Sequence, residues 1–144
     1  MNTPLRPYLY LSKNATINYP RNDVVLFIAN IGRISAIVKG IFIFQKDVIT
    51  ENISADVFYN SKICKFIKQN FIIWPEKKYV PIFIPDFGSH NNIIGRIEFE
   101  DVFGNIGWQI FRYDKISPNQ WEIRGGLTWN DVINPNKNYE DDEP

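Results

Sequence analysis

The most regular pattern in the chain is Ile93-Ile94-Gly95-Arg96-Ile97-Glu98-Phe99-Glu100, followed by Phe103-Gly104-Asn105 and by the run 108–113. In the first run every second residue is apolar or glycine, and a period of two is typical of a strand with one face turned inward. The Gly-Asn pair tolerates the backbone conformations of a tight turn. Residues 93–100 and 108–113 are therefore predicted to pair as an antiparallel hairpin.

Short runs rich in Ile, Phe and Tyr occur on both sides of this hairpin, and such residues favour strands over helices. The runs are 8–11, 24–29, 36–45, 71–74, 79–84 and 121–124. Gly40 indicates a bulge or a close backbone approach, and Pro81 indicates an edge strand. With turn residues between the runs, the pattern predicts a mostly β fold, an immunoglobulin-like antiparallel β-sandwich of seven to eight strands.

One segment departs from this pattern. Ser54-Ala55-Asp56 could cap a helix, and the apolar residues that follow are loosely helix-spaced. We expect one short helical or irregular crossover over about 54–70. We expect residues 1–133 to form a single β-sandwich domain and residues 134–144 to form a disordered acidic tail.

Composition excludes several function classes. Sixteen basic and sixteen acidic residues give no net charge, which argues against extended nucleic acid as a partner. The single cysteine, Cys64, allows no internal disulfide, and with the single histidine, His90, it cannot supply the four ligands of a zinc site. The neighbouring Asp86, Ser89 and His90 cannot assemble a hydrolytic triad within one loop. We expect no catalytic residues, no metal, no cofactor and no enzyme activity.

One group of residues is predicted to form a ligand-binding surface. Lysines recur every three residues in the uncertain segment, two more follow shortly after, and aromatic residues are interspersed. Aromatic rings beside lysines can hold nucleotides or anionic headgroups, although a solvated face is the alternative. The candidate ligand-binding residues are Tyr59, Lys62, Lys65, Phe66, Lys68, Trp74, Lys77 and Lys78.

Two short motifs are interpreted as turn-forming. Asn30 and Gly32, separated by one residue, are expected to shape the connection between two strands. Asp101, two residues before Phe103, is expected to accept backbone hydrogen bonds in the hairpin turn that Gly104 helps to form. All four turn residues are assigned a structural role.

Taken together, three stretches resemble the β-sandwich domain of uncharacterised bacterial membrane-anchored proteins. They are Arg6-Pro7-Tyr8-Leu9, the run 26–36 with its Asn30-Ile31-Gly32, and the run 95–105 with its Asp101-Val102-Phe103-Gly104. The family typically has Arg-Pro-Tyr, then Asn-x-Gly, then Asp-x-Phe-Gly. Ser35 stands where the family usually has proline. The resemblance implies a β-sandwich that follows transmembrane helices, on either the cytoplasmic or the periplasmic side, and it implies no catalytic residues.

Two functions are compatible with these observations. The first is a non-catalytic protein-interaction module, contacting a protein partner through a sheet face or an edge strand. The alternative is a sensor of a small ligand of the cyclic-nucleotide type, for example in a bacterial defence system. No run of apolar residues is long enough to span a bilayer, so we expect a soluble domain with no membrane insertion by this chain.

Overall fold

The computed structural model of the chain describes residues 6–18, 20–46, 65–76, 78–124 and 130–131. All regular structure in these residues is β. The strands are β1 (Leu9–Leu11), β2 (Asn14–Asn18), β3 (Asp23–Asn30), β4 (Ala36–Lys46), β5 (Lys65–Ile73), β6 (Val80–Ile84), β7 (Asn92–Asp101), β8 (Ile106–Ser117), β9 (Gln120–Ile123) and β10 (Asn130–Asp131). Within these ranges no helix occurs that is long and apolar enough to cross a membrane.

The strands pair antiparallel in one continuous sheet, with neighbours in the order β6-β3-β2-β9-β8-β7-β4-β5. β1 lies on the same side of β3 as β2, and β10 lies on the same side of β8 as β9. The sheet curls into a half-barrel. The predicted hairpin is confirmed, since β7 pairs with β8 from Asn92↔Asp114 to Glu100↔Ile106.

The crossover predicted over about 54–70 is wrong for residues 65–70, which belong to β5. In β5, Ile67, Phe71 and Ile73 share the face that packs on the core, while Phe66 and Lys68 lie on the opposite, exposed face. Because Phe66 is apolar but exposed, the alternation of apolar and polar residues that marks a strand is broken at this position. Pairing with β4 outweighs the weak helical spacing of the apolar residues. Residues 54–64 lie outside the described residues.

One hydrophobic core fills the concave side of the sheet. It takes its side chains from alternate positions of almost every strand, including Leu26, Ile97, Phe111, Tyr113 and Trp121, all fully buried. Burial of each such side chain contributes about 1.5–3 kcal/mol. The Tyr113 hydroxyl keeps a partner in this apolar setting, since it donates to the Ser12 carbonyl oxygen at 2.6 Å.

A buried asparagine joins three segments at one end of the sheet. Asn30 Oδ1 accepts hydrogen bonds from the backbone N–H groups of Tyr8 (3.0 Å) and Gly32 (2.9 Å). Its Nδ2 donates to the carbonyl oxygens of Ile34 (2.7 Å) and Ile73 (3.1 Å). A Cβ at Gly32 would lie 2.4 Å from Tyr8 N. Only glycine at this position therefore leaves room for residues 6–8, which cross over it. The Arg-Pro-Tyr and Asn-x-Gly motifs are thus in direct contact.

The turn between β7 and β8 is held by Asp101. Its Oδ1 accepts from the backbone N–H groups of Phe103 (2.8 Å) and Asn105 (2.9 Å), and its Oδ2 accepts from Asn105 Nδ2 at 3.0 Å. Gly104 has a φ of 84°, a conformation that glycine adopts without steric cost. These contacts fix the turn as a rigid tip at the end of the hairpin.

Candidate binding surfaces

A shallow depression lies on the outer, convex face of the sheet, across β5, β4 and β7. It has a volume of about 600 Å³. Its lining residues, which define the lysine depression, are Lys39, Phe66, Lys68, Gln69, Asn70 and Glu98.

The depression forms where the strand register shifts. The pairing of β4 with both β5 and β7 shifts between Val38 and Gly40, as expected of a bulge. The ring of Phe66 lies over Gly40, where a Cβ would come within 2.3 Å of it. Gly40 therefore marks a close approach, in agreement with its position inside a strand, and the half-exposed ring of Phe66 forms the floor.

A ladder of stacked groups supports this floor from the side. The rings of Phe66 and Phe42 have centroids 4.7 Å apart. The Arg96 guanidinium lies 4.8 Å from the centroid of Phe42 and 3.8 Å from that of Trp108. Such cation–π and ring contacts each contribute about 0.5–1.5 kcal/mol. The ladder crosses β5, β4, β7 and β8, so it holds Phe66 in one orientation.

The charges around the depression are partly engaged within the sheet. Lys39 Nζ lies 3.9 Å from Glu100 Oε2, a long contact between partly exposed groups. Glu98 Oε1 accepts from Trp108 Nε1 at 3.3 Å. Two lysines therefore line the depression beside the exposed ring of Phe66, and the Glu98 carboxylate that also lines it bonds to an indole N–H.

The predicted ligand-binding residues do not form one site. Phe66 and Lys68 line the lysine depression, whereas Lys65 lies on the opposite face of β5, with its Nζ 5.4 Å from the ring centroid of Phe87. Trp74 and Lys78 lie in the connection between β5 and β6, at the end of the sheet where Asn30 is buried. Tyr59, Lys62 and Lys77 lie outside the described residues. The lysine stripe required a helix, and a strand puts Lys65 and Lys68 on opposite faces.

A second surface, the aromatic face, covers the outer side of β1, β3 and β6. We define it by Tyr10, Phe27, Tyr79 and Phe83, of which all but the half-buried Phe27 are exposed. Tyr10 pairs with Ala29 and Phe83 with Val25, and register places Tyr79 on the other side of Ala29. Partial burial raises the pKa of Tyr79 above its ordinary value of 10.0, and the neighbouring Tyr10 raises it further by a smaller amount.

The aromatic face reaches the edge of the sheet at β6. In the described part of the chain β6 pairs with β3 alone, in agreement with the edge position that Pro81 predicts. The Phe27 carbonyl accepts from Ser12 N at 2.8 Å, away from β6. By the alternation of antiparallel bonding, the backbone groups of Pro81 and Phe83 then point away from β3. The edge offers an N–H and a carbonyl at Phe83 and a carbonyl alone at Pro81.

Sequence reasoning missed most of these surface residues. Lys39 and Glu98 come from β4 and β7 and reach Phe66 only through strand pairing, and their sole local signal was Gly40.

The described residues hold no group of three or more His, Cys, Asp or Glu side chains that could bind a metal. No family model matches the chain, and the searches of curated proteins and of solved structures found no similar protein.

Proposed function

We propose that this chain is a non-catalytic protein-interaction module whose contact surface is the aromatic face together with the edge of β6. The observation that supports it is the exposure of Tyr10, Tyr79 and Phe83 on one side of an edge strand and its neighbours. Clustered exposed aromatic side chains next to a sheet edge are typical of protein contact surfaces.

The chemistry of the edge favours an extended segment with alternating apolar side chains as the partner. An added strand would bond to the N–H and carbonyl of Phe83 and donate to the carbonyl of Pro81. Its outward side chains would then lie beside the rings of Tyr79 and Phe83. Because Pro81 lacks an N–H, the edge supports a short contact and resists open-ended strand addition.

A peptide-display selection tests this proposal with the whole chain as bait and a random peptide library as probe. We expect selected peptides to alternate apolar and polar residues and to shift the amide resonances of residues 79, 80 and 82–84. Phe83→Ser with Tyr79→Ser should weaken their binding by at least about tenfold, the scale of one buried aromatic side chain.

The matched control is Phe66→Ser, which removes an equally exposed ring from the opposite part of the outer surface. It should leave peptide binding unchanged. Peptides that lose affinity with Phe66→Ser and keep it with the β6 variants would refute the assignment, as would a selection that yields no peptide discriminating the parent from the β6 variants.

The alternative function, a sensor of a cyclic-nucleotide type of ligand, is favoured by the lysine depression. A base could stack on the free side of Phe66 while Lys39 and Lys68 meet the phosphate. Thermal melting with a panel of cyclic nucleotides at ~100 times a plausible Kd would raise the free energy of unfolding by roughly 2.7 kcal/mol on binding. Lys39→Glu with Lys68→Glu should abolish that shift, and no shift with any nucleotide would exclude the sensor.

We propose further that the curled sheet is an immunoglobulin-like sandwich of the kind found in the membrane-anchored bacterial proteins that the sequence resembles. In support, Asn30 of β3 bonds to Ile73 of β5, although five strands separate β3 from β5 in the sheet order. The two ends of the sheet are therefore folded towards each other around one core. Two apolar helices encoded directly upstream would support the membrane-anchored context, and a crystal structure with an open single layer would refute the sandwich.

A further inference from the structure

Exposed apolar side chains concentrate at one end of the sheet. Among the described residues the three most exposed large hydrophobic side chains are Phe103 (64%), Val102 (62%) and Trp74 (56%). Single exposed hydrophobic residues are ordinary, but a cluster is not. Ile31 and Tyr8, at the same end, are exposed as well.

Strand register brings these residues together. Ala36, at the start of β4, pairs with Ile73 on one side and with Asp101 on the other. Trp74 and Val102 follow those partners directly, so their backbones emerge two strand spacings apart, about 10 Å. The Asn30 side chain ties the loop that carries Ile31 to the end of β5. We call this surface, defined by Ile31, Trp74, Val102 and Phe103, the loop end.

The hairpin tip presents its apolar residues rigidly. The Asp101 carboxylate binds the backbone N–H groups on both sides of Gly104, and the Gly104 N–H donates to the Asp101 carbonyl at 3.1 Å. A turn fixed in this way cannot fold Val102 and Phe103 back onto the core. Both side chains are more than half exposed, so burial in the core does not account for large apolar residues at these two positions.

Basic side chains surround the loop end. Arg33 and Lys78 are exposed and Arg6 is partly exposed, and the backbone N–H of Arg33 donates to the Arg6 carbonyl at 3.3 Å. Glu76 is the exposed carboxylate of the connection that carries Trp74 and Lys78. The three basic side chains complement the charge of an anionic surface. The apolar side chains that protrude between them suit an apolar layer beneath that surface.

We propose that the loop end binds peripherally to a lipid bilayer that carries anionic headgroups. Phe103, Val102 and Trp74 enter the interfacial layer, where aromatic and aliphatic tips are stabilised, while Arg33 and Lys78 meet the phosphates. This contact departs from the sequence-based expectation of no membrane insertion, although only side-chain tips enter. It uses a surface other than the edge of β6 and is independent of the protein-interaction proposal.

Vesicle binding of the full chain tests this proposal. We expect the chain to sediment with vesicles of phosphatidylcholine and phosphatidylserine and much less with phosphatidylcholine alone. Val102→Ser with Phe103→Ser should lower the partition coefficient by about tenfold or more, and Arg33→Ala should lower it by about fivefold. A blue shift of tryptophan emission on binding should disappear in Trp74→Phe.

The matched control is Ile116→Ser, because Ile116 is 54% exposed near the C-terminal end of β8, at the opposite end of the sheet. It should bind vesicles as the parent does, and far-UV circular dichroism should show every variant folded. The proposal is overturned if the folded parent binds neither vesicle type, if it binds both equally, or if Ile116→Ser loses as much binding as the tip variant. In the first case the loop end is a contact for another protein.

Discussion

The hydrogen bonds of Asn30 allow a quantitative test of how the sheet is closed. We expect Asn30→Leu, which keeps the approximate size of the side chain and removes its polar atoms, to destabilise the fold strongly. The substitution deletes four hydrogen bonds that link the segment before β1, at Tyr8, to the 31–35 loop and to the end of β5. It also leaves the carbonyl oxygen of Ile73 facing an apolar group.

The expected magnitude follows from the number of bonds. At a net contribution of about 1 kcal/mol per hydrogen bond, the loss is about 4 kcal/mol. For a domain of 144 residues a loss of that size lowers Tm by about 10–15 °C.

Urea unfolding followed by tryptophan fluorescence and far-UV circular dichroism measures the change. The matched control is Gln109→Leu, because Gln109 is also a fully buried amide. Among the residues that the structure describes, its Nε2 donates to the carbonyl of Ile110, at 3.2 Å, and its Oε1 has no hydrogen-bond partner. That variant should be within about 1 kcal/mol of the parent or more stable. If Asn30→Leu loses less than about 1 kcal/mol, or if both variants lose equally, Asn30 does not close the sheet.

Three further predictions concern a close backbone approach, the hairpin turn and alkaline pH. Gly32→Ala should lower the free energy of unfolding by about 2–4 kcal/mol in urea, since its methyl group would lie 2.4 Å from Tyr8 N. Asp101→Ala should lower the free energy of unfolding by about 2–3 kcal/mol, because the backbone N–H groups of Phe103 and Asn105 lose their acceptor. A loss under about 0.5 kcal/mol would contradict the role of Asp101 in holding the turn. Burial raises the pKa of Tyr113 well above its ordinary 10.0, so the folded state retains a proton that the unfolded chain releases. The contribution of Tyr113 to stability should be constant below about pH 9 and fall above about pH 10 by up to ~1.4 kcal/mol per pH unit, and an alkaline limb that stays as steep in Tyr113→Phe would exclude this tyrosine as its source.

Local patterns in the sequence predicted most of the strands and the pairing of the hairpin, but not β2 or the first part of β5. The alternation from Ile93 to Glu100 predicted an inward face, and Ile93, Ile97 and Phe99 are buried in the core. Gly40 and Pro81 marked a bulge and an edge strand because glycine and proline restrict or release the backbone wherever they stand. The segment 65–70 was misread because Phe66 and Ile72 place apolar residues on both faces, and only pairing with β4 decides between helix and strand.

The surfaces depended on contacts between residues far apart in the chain. Lys39, Phe66 and Glu98 meet because β5, β4 and β7 are neighbours, and no local spacing carries that information. Trp74 and Phe103 also share a surface only through strand pairing. The sequence had indicated a candidate ligand-binding residue at Trp74 and a turn residue at Phe103. By itself the sequence determined that the chain is β-rich and where its turns lie, because backbone preference and side-chain period are properties of neighbouring residues. Only the tertiary structure decided which aromatic and basic side chains share a surface, because that depends on the strand order.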